Sequence, residues 1–298
     1  MAGGTCGAPT PRTVAVERLT SGDHACLDFV SHRDRWALRA AFTTAGLARG
    51  ERVMLFTDPA TRSGEALTRL ADFGVPTERA AADGRLEVLN SSPGYDPVHG
   101  FDAAARTGYW ASVTDDALAH GFTGLRVAGD MVWACEPGVS GDALTSYESG
   151  LGGLFEKFPF LAMCEYDRRS FSPQLLERVL AVHPLSVLPQ PGELRAERAG
   201  DALRLVGDAD LATRTRFELS VREPGLARID LTGLAFIDAY CVRTLLRLPG
   251  GPALECTRAQ YRLLRLCGAP EAERTEVPVG WTERGSGADT GRVVLRVR

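Results

Sequence analysis

The sequence predicts an α/β fold in two domains, and three observations carry that expectation. From His24 to Ala181, short apolar runs that suit buried parallel strands alternate with segments whose apolar residues recur at helical spacing. A stretch bearing Pro and Gly, His183 to Gly192, interrupts the alternation, and a shorter series of strands and helices follows it. The 298 residues are enough to bury two separate cores. The expected limits are 12–183 for the first domain, 184–192 for a linker and 193–298 for the second domain.

Met1 to Pro11, rich in Gly, Thr and Pro, is expected to be disordered. His24 to Val30 reads as the first strand, with Ala25, Leu27 and Phe29 on one face, and Ser31 to Arg35 as a loop. Trp36 to Ala48 suits a helix stopped by Gly50, and Glu51 to Asp58 a buried strand ending at a carboxylate. Strand, helix, strand in that order implies a right-handed crossover in a parallel sheet. A helix over Pro59 to Phe73, a strand over Leu86 to Leu89 and a Pro/Gly-rich loop over Ser91 to His99, of the kind that lies over a site, come next. Phe101 to His120 reads as a helix, Gly124 to Gly129 as a strand, Asp142 to Phe155 as a helix and Pro159 to Asp167 as a strand. Ser172-Pro173 opens a helix that runs to Ala181, because Pro suits a first helical turn.

Past the linker, Leu194 to Val206 reads as a hairpin, Leu211 to Val221 as a helix, and Ala227 to Leu248 as a strand, a loop over Thr232 to Ile237 and a helix capped by Asp238. Ala253 to Cys256 and Thr257 to Cys267 add a strand and a helix. Pro270 to Gly291 reads as loose, and Arg292 to Val297 alternates as an edge strand should.

Composition narrows the class. Hydrophobic residues at 44% and charged residues at 24% are those of a soluble globular protein, and no run of about 18 apolar residues suggests a membrane span. A net charge of -4 with no Lys/Arg cluster argues against nucleic-acid binding. Seven scattered cysteines without a CxxC pair argue against a disulfide framework or a structural zinc site and fit a reducing cytoplasm.

Near the C-terminus, Asp230-Leu231-Thr232-Gly233, Phe236-Ile237-Asp238 and Gly207-Asp208-Ala209-Asp210-Leu211-Ala212 resemble the signatures of the STAS domain, the fold of bacterial anti-sigma factor antagonists. The family pattern continues Asp-Ser-Ser-Gly, with a phosphate-accepting Ser two residues after the Asp; here Ala239, Tyr240 and Cys241 follow Asp238, so that acceptor is absent. The resemblance implies a partner such as an anti-sigma factor, a part in transcription regulation, and a switch formed by Thr232, Asp238, Tyr240 and Arg243. Asp238 opens its helix toward whatever follows the loop, a place for a phosphate or a partner's carboxylate.

In the first domain, Gly22 to Cys26, Arg126 to Trp133, Tyr147-Glu148, Cys164 to Arg168 and His183-Pro184 resemble the MEDS domain of DcmR-type sensory regulators. That resemblance implies a RecA/KaiC-like core and a small organic ligand. The place of a phosphate loop holds Ser31-His32-Arg33-Asp34-Arg35, with neither the glycines nor the Lys of GxxxxGK[ST], so ATP hydrolysis is not expected. The whole then reads as a RecA/KaiC-like parallel-sheet domain lacking a P-loop, followed by a smaller STAS-type α/β domain.

Candidate residues for the sensory pocket are His24, Cys26, Asp130, Trp133, Glu148, Glu165 and Tyr166. His24 and Cys26, two apart on a strand, point to one face and could meet a metal, a haem iron or an electrophile, or else be a hydrogen-bonded core His and a buried Cys. Asp130 reads either as the metal-holding Asp of an ATPase or as a strand-end carboxylate. Aromatic residues beside acidic ones fit a mainly apolar pocket with a few polar anchors. The sequence names no cofactor and no metal ligand set, and it is compatible with self-association. Two functions follow from it: a non-enzymatic cytoplasmic signalling protein, or an enzyme or redox/metal sensor using His24, Cys26 and the acidic cluster.

Overall fold

The computed structural model describes residues 11–90, 95–96, 100–136, 138–271 and 292–296. Most of the start expected to be disordered, most of the loop Ser91 to His99 and nearly all of the loose segment Pro270 to Gly291 lie outside the described residues. The chain divides between Pro191 and Gly192 into two compact units.

The first unit runs β1 (Arg12–Val14), β2 (His24–Phe29), α1 (His32–Arg49), β3 (Arg52–Phe56), α2 (Ser63–Asp72), α3 (Thr77–Ala82), β4 (Leu86–Leu89), β5 (Tyr95–Asp96), β6 (Gly100–Phe101), α4 (Ala103–Ala119), β7 (Leu125–Asp130), α5 (Gly141–Gly150), α6 (Gly152–Lys157), β8 (Phe160–Asp167), α7 (Pro173–Val182) and β9 (Leu185–Val187). Seven strands form one sheet in the order β1-β9-β2-β8-β7-β3-β4 with every pairing parallel, as the alternation of elements predicts, and β5 pairs with β6 apart from it.

Residues of one register row in a parallel sheet share a face. Leu27, Glu165 and Asp130 align across β2, β8 and β7, as do Cys26, Cys164 and Gly129 in the row before. Ala25, Leu27, Phe29, Leu161 and Met163 join the core that contains Trp36 and Phe42 of α1, whereas Met54, Phe56, Val127, Phe160 and Ala162 pack on the opposite face with Trp110 and Tyr147. Close seating of α1 depends on Gly46, where a Cβ would lie 2.6 Å from Arg126 Cδ.

Several boundaries differ from expectation for local reasons. The expected loop Ser31 to Arg35 is the cap and first turn of α1, because the Ser31 hydroxyl accepts from Asp34 N at 3.2 Å. Asp58 holds residues 59–61 in a turn through Ala60 N at 3.0 Å and Thr61 N at 3.1 Å, so the helix expected from Pro59 starts at Ser63. One helix expected from Asp142 to Phe155 is two, parted at Leu151 between Gly150 and Gly152. The expected linker 184–192 is corrected at its start: Leu185–Val187 is β9, seated in parallel between β1 and β2, and Leu188 N still donates to Val14 O at 2.9 Å.

The second unit runs β10 (Leu194–Ala199), β11 (Ala202–Ala209), α8 (Arg214–Val221), β12 (Arg228–Ile237), α9 (Ala239–Leu245), β13 (Ala253–Thr257), α10 (Arg258–Leu266) and β14 (Arg292–Arg296). Its sheet is mixed, in sequence order β10 to β14, with β11, β12 and β13 parallel and an antiparallel strand at each edge. The loop expected over Thr232 to Ile237 is the second half of β12, paired with β11 through register shifts at Arg204/Val206 and Gly207/Asp208. Gly233 is therefore no turn residue: a Cβ there would lie 2.6 Å from Leu205 O of the neighbouring strand. Asp238 caps α9 as expected, its carboxylate accepting from Cys241 N at 2.7 Å. No helix among the described residues is long and apolar enough to cross a membrane.

Candidate functional site

The seven residues read from sequence as one sensory pocket separate onto the two faces of the parallel sheet. Asp130 and Glu165 face α1, and His24, Cys26, Cys164 and Tyr166 face the opposite way. The alternation of side chains on β7 and β8 causes this split, since Cys164 and Glu165 are adjacent in the chain.

On the α1 face, Arg35 and Arg39 are one helical turn apart and reach the same carboxylate. Arg35 Nε donates to Glu165 Oε2 at 2.6 Å and Arg35 Nη2 to Asp130 Oδ2 at 2.6 Å. Arg39 donates to Glu165 from Nη2 at 2.6 Å and from Nε at 2.8 Å, and to Phe56 O at 3.1 Å. Burial alone pushes the Glu165 carboxyl up, but Arg35 and Arg39 override it and hold it below the usual range. Asp130 spends its other oxygen on Val132 N at 2.8 Å. Two cations and two anions, all buried, balance here. Asp130 thus ends a strand and neutralises an arginine, the second of its two sequence readings. Arg35, expected in a loop, and Arg39 were not foreseen; two arginines at i and i+4 on the apolar stripe of a helix were the available signal.

The opposite face carries the site. His24 Nε2 lies 3.1 Å from Glu148 Oε2, and Tyr166 donates to Glu148 Oε1 at 3.0 Å. Cys164 Sγ lies 3.8 Å from Glu148 Oε2 and 3.7 Å from His24 Nε2. His183, at the end of α7, brings Nε2 to 3.6 Å from Glu148 Oε2. One ligand atom from each of His24, Glu148, Cys164 and His183 lies within 4.8 Å of every other, and all four residues are buried. Phe155 stacks on His24 at 4.6 Å between ring centroids, closing the cluster from the side of α6.

Burial pushes the Glu148 carboxyl up, but the His24 hydrogen bond overrides it, joined by Arg106 and, once acid protonates them, by the His183 and His24 rings, and holds the group at about 2. Burial and the neighbouring His24 lower His183 to about 4, so its ring is neutral at pH 7. Burial and the Glu148 charge push the Cys164 thiol and the Tyr166 phenol well up, leaving both protonated. An ionised carboxylate without solvent is costly, and it is tolerated here because His24, Tyr166 and Cys164 turn donors toward it.

Cys26 shares the His24 face but not its cluster. Its thiol donates to Leu185 O at 3.3 Å and is pushed up to about 12 by burial and the Asp28 charge. The cysteine that accompanies His24 is Cys164, which corrects the expected pairing. Trp133 lies with Arg106 instead, the guanidinium carbon 4.5 Å from its ring centroid. Arg106 Nε and Trp110 Nε1 each donate to Tyr147 OH at 3.0 Å. Between this aromatic group and the cluster is a cavity of about 20 Å³, lined in part by Arg106, Tyr147, Glu148, Met163 and Cys164. That volume holds about one water.

In the second unit, Asp238 and Tyr240 share the start of α9 and Arg243 lies in its last turn, whereas Thr232 is six residues before Asp238, roughly 20 Å away along the strand. Thr232 donates to Asp230 Oδ1 at 2.6 Å, inside β12. The phenol of Tyr240 donates to Glu218 of α8, and Arg214 lies over its ring at 3.8 Å. Tyr240 and Arg243 border a groove of about 530 Å³ with Val221, Leu226 and Arg247. Leu219 and Phe236 are 71% and 53% exposed, large apolar groups left in water on the same unit.

A family model described as MEDS, the methanogen/methylotroph, DcmR sensory domain, matches residues 23–184, more than half of the chain. No curated protein matches the chain.

Proposed function

Because the chain belongs to the MEDS family, described as a sensory domain, we propose that it is a cytoplasmic signalling protein whose first unit binds a small organic ligand and whose second unit passes the state to a protein partner. The buried ionised Glu148, ringed by His24, His183, Cys164 and Tyr166, carries this reading. A core gains nothing from five such polar groups that apolar residues would not supply at lower cost, so their presence points to binding. Glu148 is an acceptor, which favours a ligand with an O–H or N–H donor over a carboxylate. The adjoining cavity of about 20 Å³ limits the occupant to very few heavy atoms unless Tyr147 or Arg106 moves.

The first unit is read as a RecA/KaiC-like core without nucleotide chemistry. The seven-stranded parallel sheet agrees with that, and Arg35 fills the place of the phosphate loop, paired to Asp130 where a metal-holding Asp would be. The second unit is read as a STAS-type domain that engages an anti-sigma factor or a related regulatory protein. The parallel β11, β12 and β13, the capped α9, the groove beside Tyr240 and Arg243, and the exposed Leu219 and Phe236 support that reading. A ligand that favours one state of the protein would alter partner affinity by a coupling of about 1–3 kcal/mol, reciprocal between the two sites.

Calorimetry of the full chain against short alcohols, amines and acids tests the reading. Saturable binding of a donor-bearing molecule, weakened at least about tenfold, or by ~1.4 kcal/mol, in Glu148→Gln, is expected. Catalytic conversion of the bound molecule, or binding that Glu148→Gln leaves unchanged, would overturn it.

A further inference from the structure

We infer that His24, Glu148, Cys164 and His183 form a binding site for one divalent transition-metal ion of the zinc class, held by two imidazole nitrogens, a carboxylate oxygen and a thiolate. The inference deepens the sensory reading of this cluster and rests on it. His183 carries the argument. Its Nδ1 lies 2.6 Å from Val179 O, and a carbonyl only accepts, so Nδ1 bears the ring proton. Nε2 then presents a bare lone pair, fully buried and with no hydrogen-bond partner. That lone pair faces the Glu148 carboxylate oxygen at 3.6 Å. Two acceptors confronting each other in a dry interior repel, and a cation between them turns the repulsion into two bonds.

Four of the six separations between ligand atoms suit such an ion, and the two from His183 to His24 and to Cys164, within 4.8 Å, need an inward shift of about 1 Å at most. Tetrahedral bonds of about 2.0–2.3 Å to N, O and S put ligand atoms about 3.3–3.8 Å apart. The contacts of Glu148 Oε2 with His24, His183 and Cys164 are 3.1, 3.6 and 3.8 Å, and Cys164 to His24 is 3.7 Å. Outer partners are in place as well: Tyr166 holds the other Glu148 oxygen, and Val179 O fixes the His183 tautomer. Imidazole with one thiolate selects zinc, cobalt or ferrous iron over magnesium or calcium.

Uptake balances simply. The Cys164 S–H bond breaks and an S–metal bond forms, with the proton leaving to water. His24 binds through Nε2, whose proton, the one facing Glu148 Oε2, passes to Nδ1 by way of water, so the ring stays neutral, and Glu148 and His183 bring lone pairs already free of protons. Glutamate and thiolate together cancel the ion's two charges, and no oxidation state changes. A neutral complex is the form least penalised by burial.

The test uses reduced, chelator-stripped full chain titrated with cobalt and zinc without oxygen. One equivalent of cobalt should bind with the visible bands of a tetrahedral site and a thiolate charge-transfer band, and zinc should displace it. Cys164→Ser should lose the charge-transfer band, Tyr166→Phe should weaken binding about tenfold, and Cys26→Ser should leave both band and affinity unchanged. Absence of stoichiometric binding, or a band that survives Cys164→Ser, would overturn the inference. Should Cys164→Ser not fold, X-ray absorption of the zinc-loaded wild type decides, with one sulfur and three N/O neighbours expected and any other set contradictory. Alcohol or amine binding by stripped protein that takes up no metal would sink this inference and spare the sensory reading. Tight metal binding in a protein that responds to no small molecule would do the reverse.

Discussion

Replacing Glu165 by Gln removes one negative charge and almost no volume, which makes it a clean probe of the buried arginine cluster. In the wild type, Arg35 and Arg39 share the Glu165 carboxylate through four contacts at 2.6, 2.6, 2.8 and 3.0 Å, and Asp130 remains as a counter-charge once it is gone. Among the described residues, Arg39 then keeps no carboxylate within ion-pair distance, in a site buried from water. Leaving such a charge unpaired costs about 3–5 kcal/mol, a third or more of the 5–15 kcal/mol that typically holds a domain together. Removing Arg39 as well restores the balance to one cation and one anion, so Arg39→Met added to Glu165→Gln should cost less than the sum of the two single changes by about 1–3 kcal/mol. Urea unfolding followed by tryptophan fluorescence reads this, because Trp36, Trp110 and Trp133 all belong to the first unit. A loss below about 1 kcal/mol in Glu165→Gln, or strict additivity in the double variant, would refute the reasoning.

Metal-free protein should lose stability as pH falls from 6.5 toward 4, because the folded state keeps His183 neutral while the unfolded chain takes up the proton; the contribution is complete above 6.5 and amounts to about 3 kcal/mol. A flat unfolding free energy across that window, or an equal slope in His183→Gln, would count against the described environment of His183. Gly46→Ala should destabilise the first unit by about 1–3 kcal/mol, since its Cβ would meet Arg126 Cδ at 2.6 Å and Val53 Cγ2 at 2.7 Å; a neutral urea midpoint would contradict it. Asp238→Ala should cost the second unit about 1 kcal/mol by uncapping α9, with Asp238→Asn recovering most of it, as chemical denaturation can show. Magnesium-dependent ATP hydrolysis should be absent, and an activity abolished by Asp130→Ala would overturn that expectation.

The parallel sheet was legible because β2, β3, β7 and β8 are short, mainly apolar runs separated by helical periodicity, a pattern that needs no tertiary information. Asp238 as a cap was legible for the same reason: Asp followed by a helical stripe is a local signal. The site was only half legible. His24 is recognisable as a polar residue opening an apolar strand and Glu148 by its place beside Tyr147, yet their partners His183 and Cys164 come from elements brought together only when β9 and β8 flank β2. His183 followed by Pro184 reads as punctuation, and nothing local says that Leu185 to Val187 returns to the sheet. Asp130 and Glu165 were grouped with His24 because their neighbours suggest it. Only the register shows that adjacent residues Cys164 and Glu165 serve opposite faces. The length of β12 was misread because Thr-Gly signals a turn locally, whereas Gly233 answers a close strand contact.

If the His24–Glu148–His183 cluster receives the signal, ligand capture followed by native mass spectrometry shows it most directly. Full-length wild-type chain and Glu148→Gln, incubated side by side with a panel of short alcohols and amines, would each be weighed intact and after acid release of whatever is bound. A small molecule retained by the wild type and absent from Glu148→Gln is the predicted result. Equal retention by both proteins, or by neither across the panel, would contradict the assignment of this cluster as the sensor's binding site.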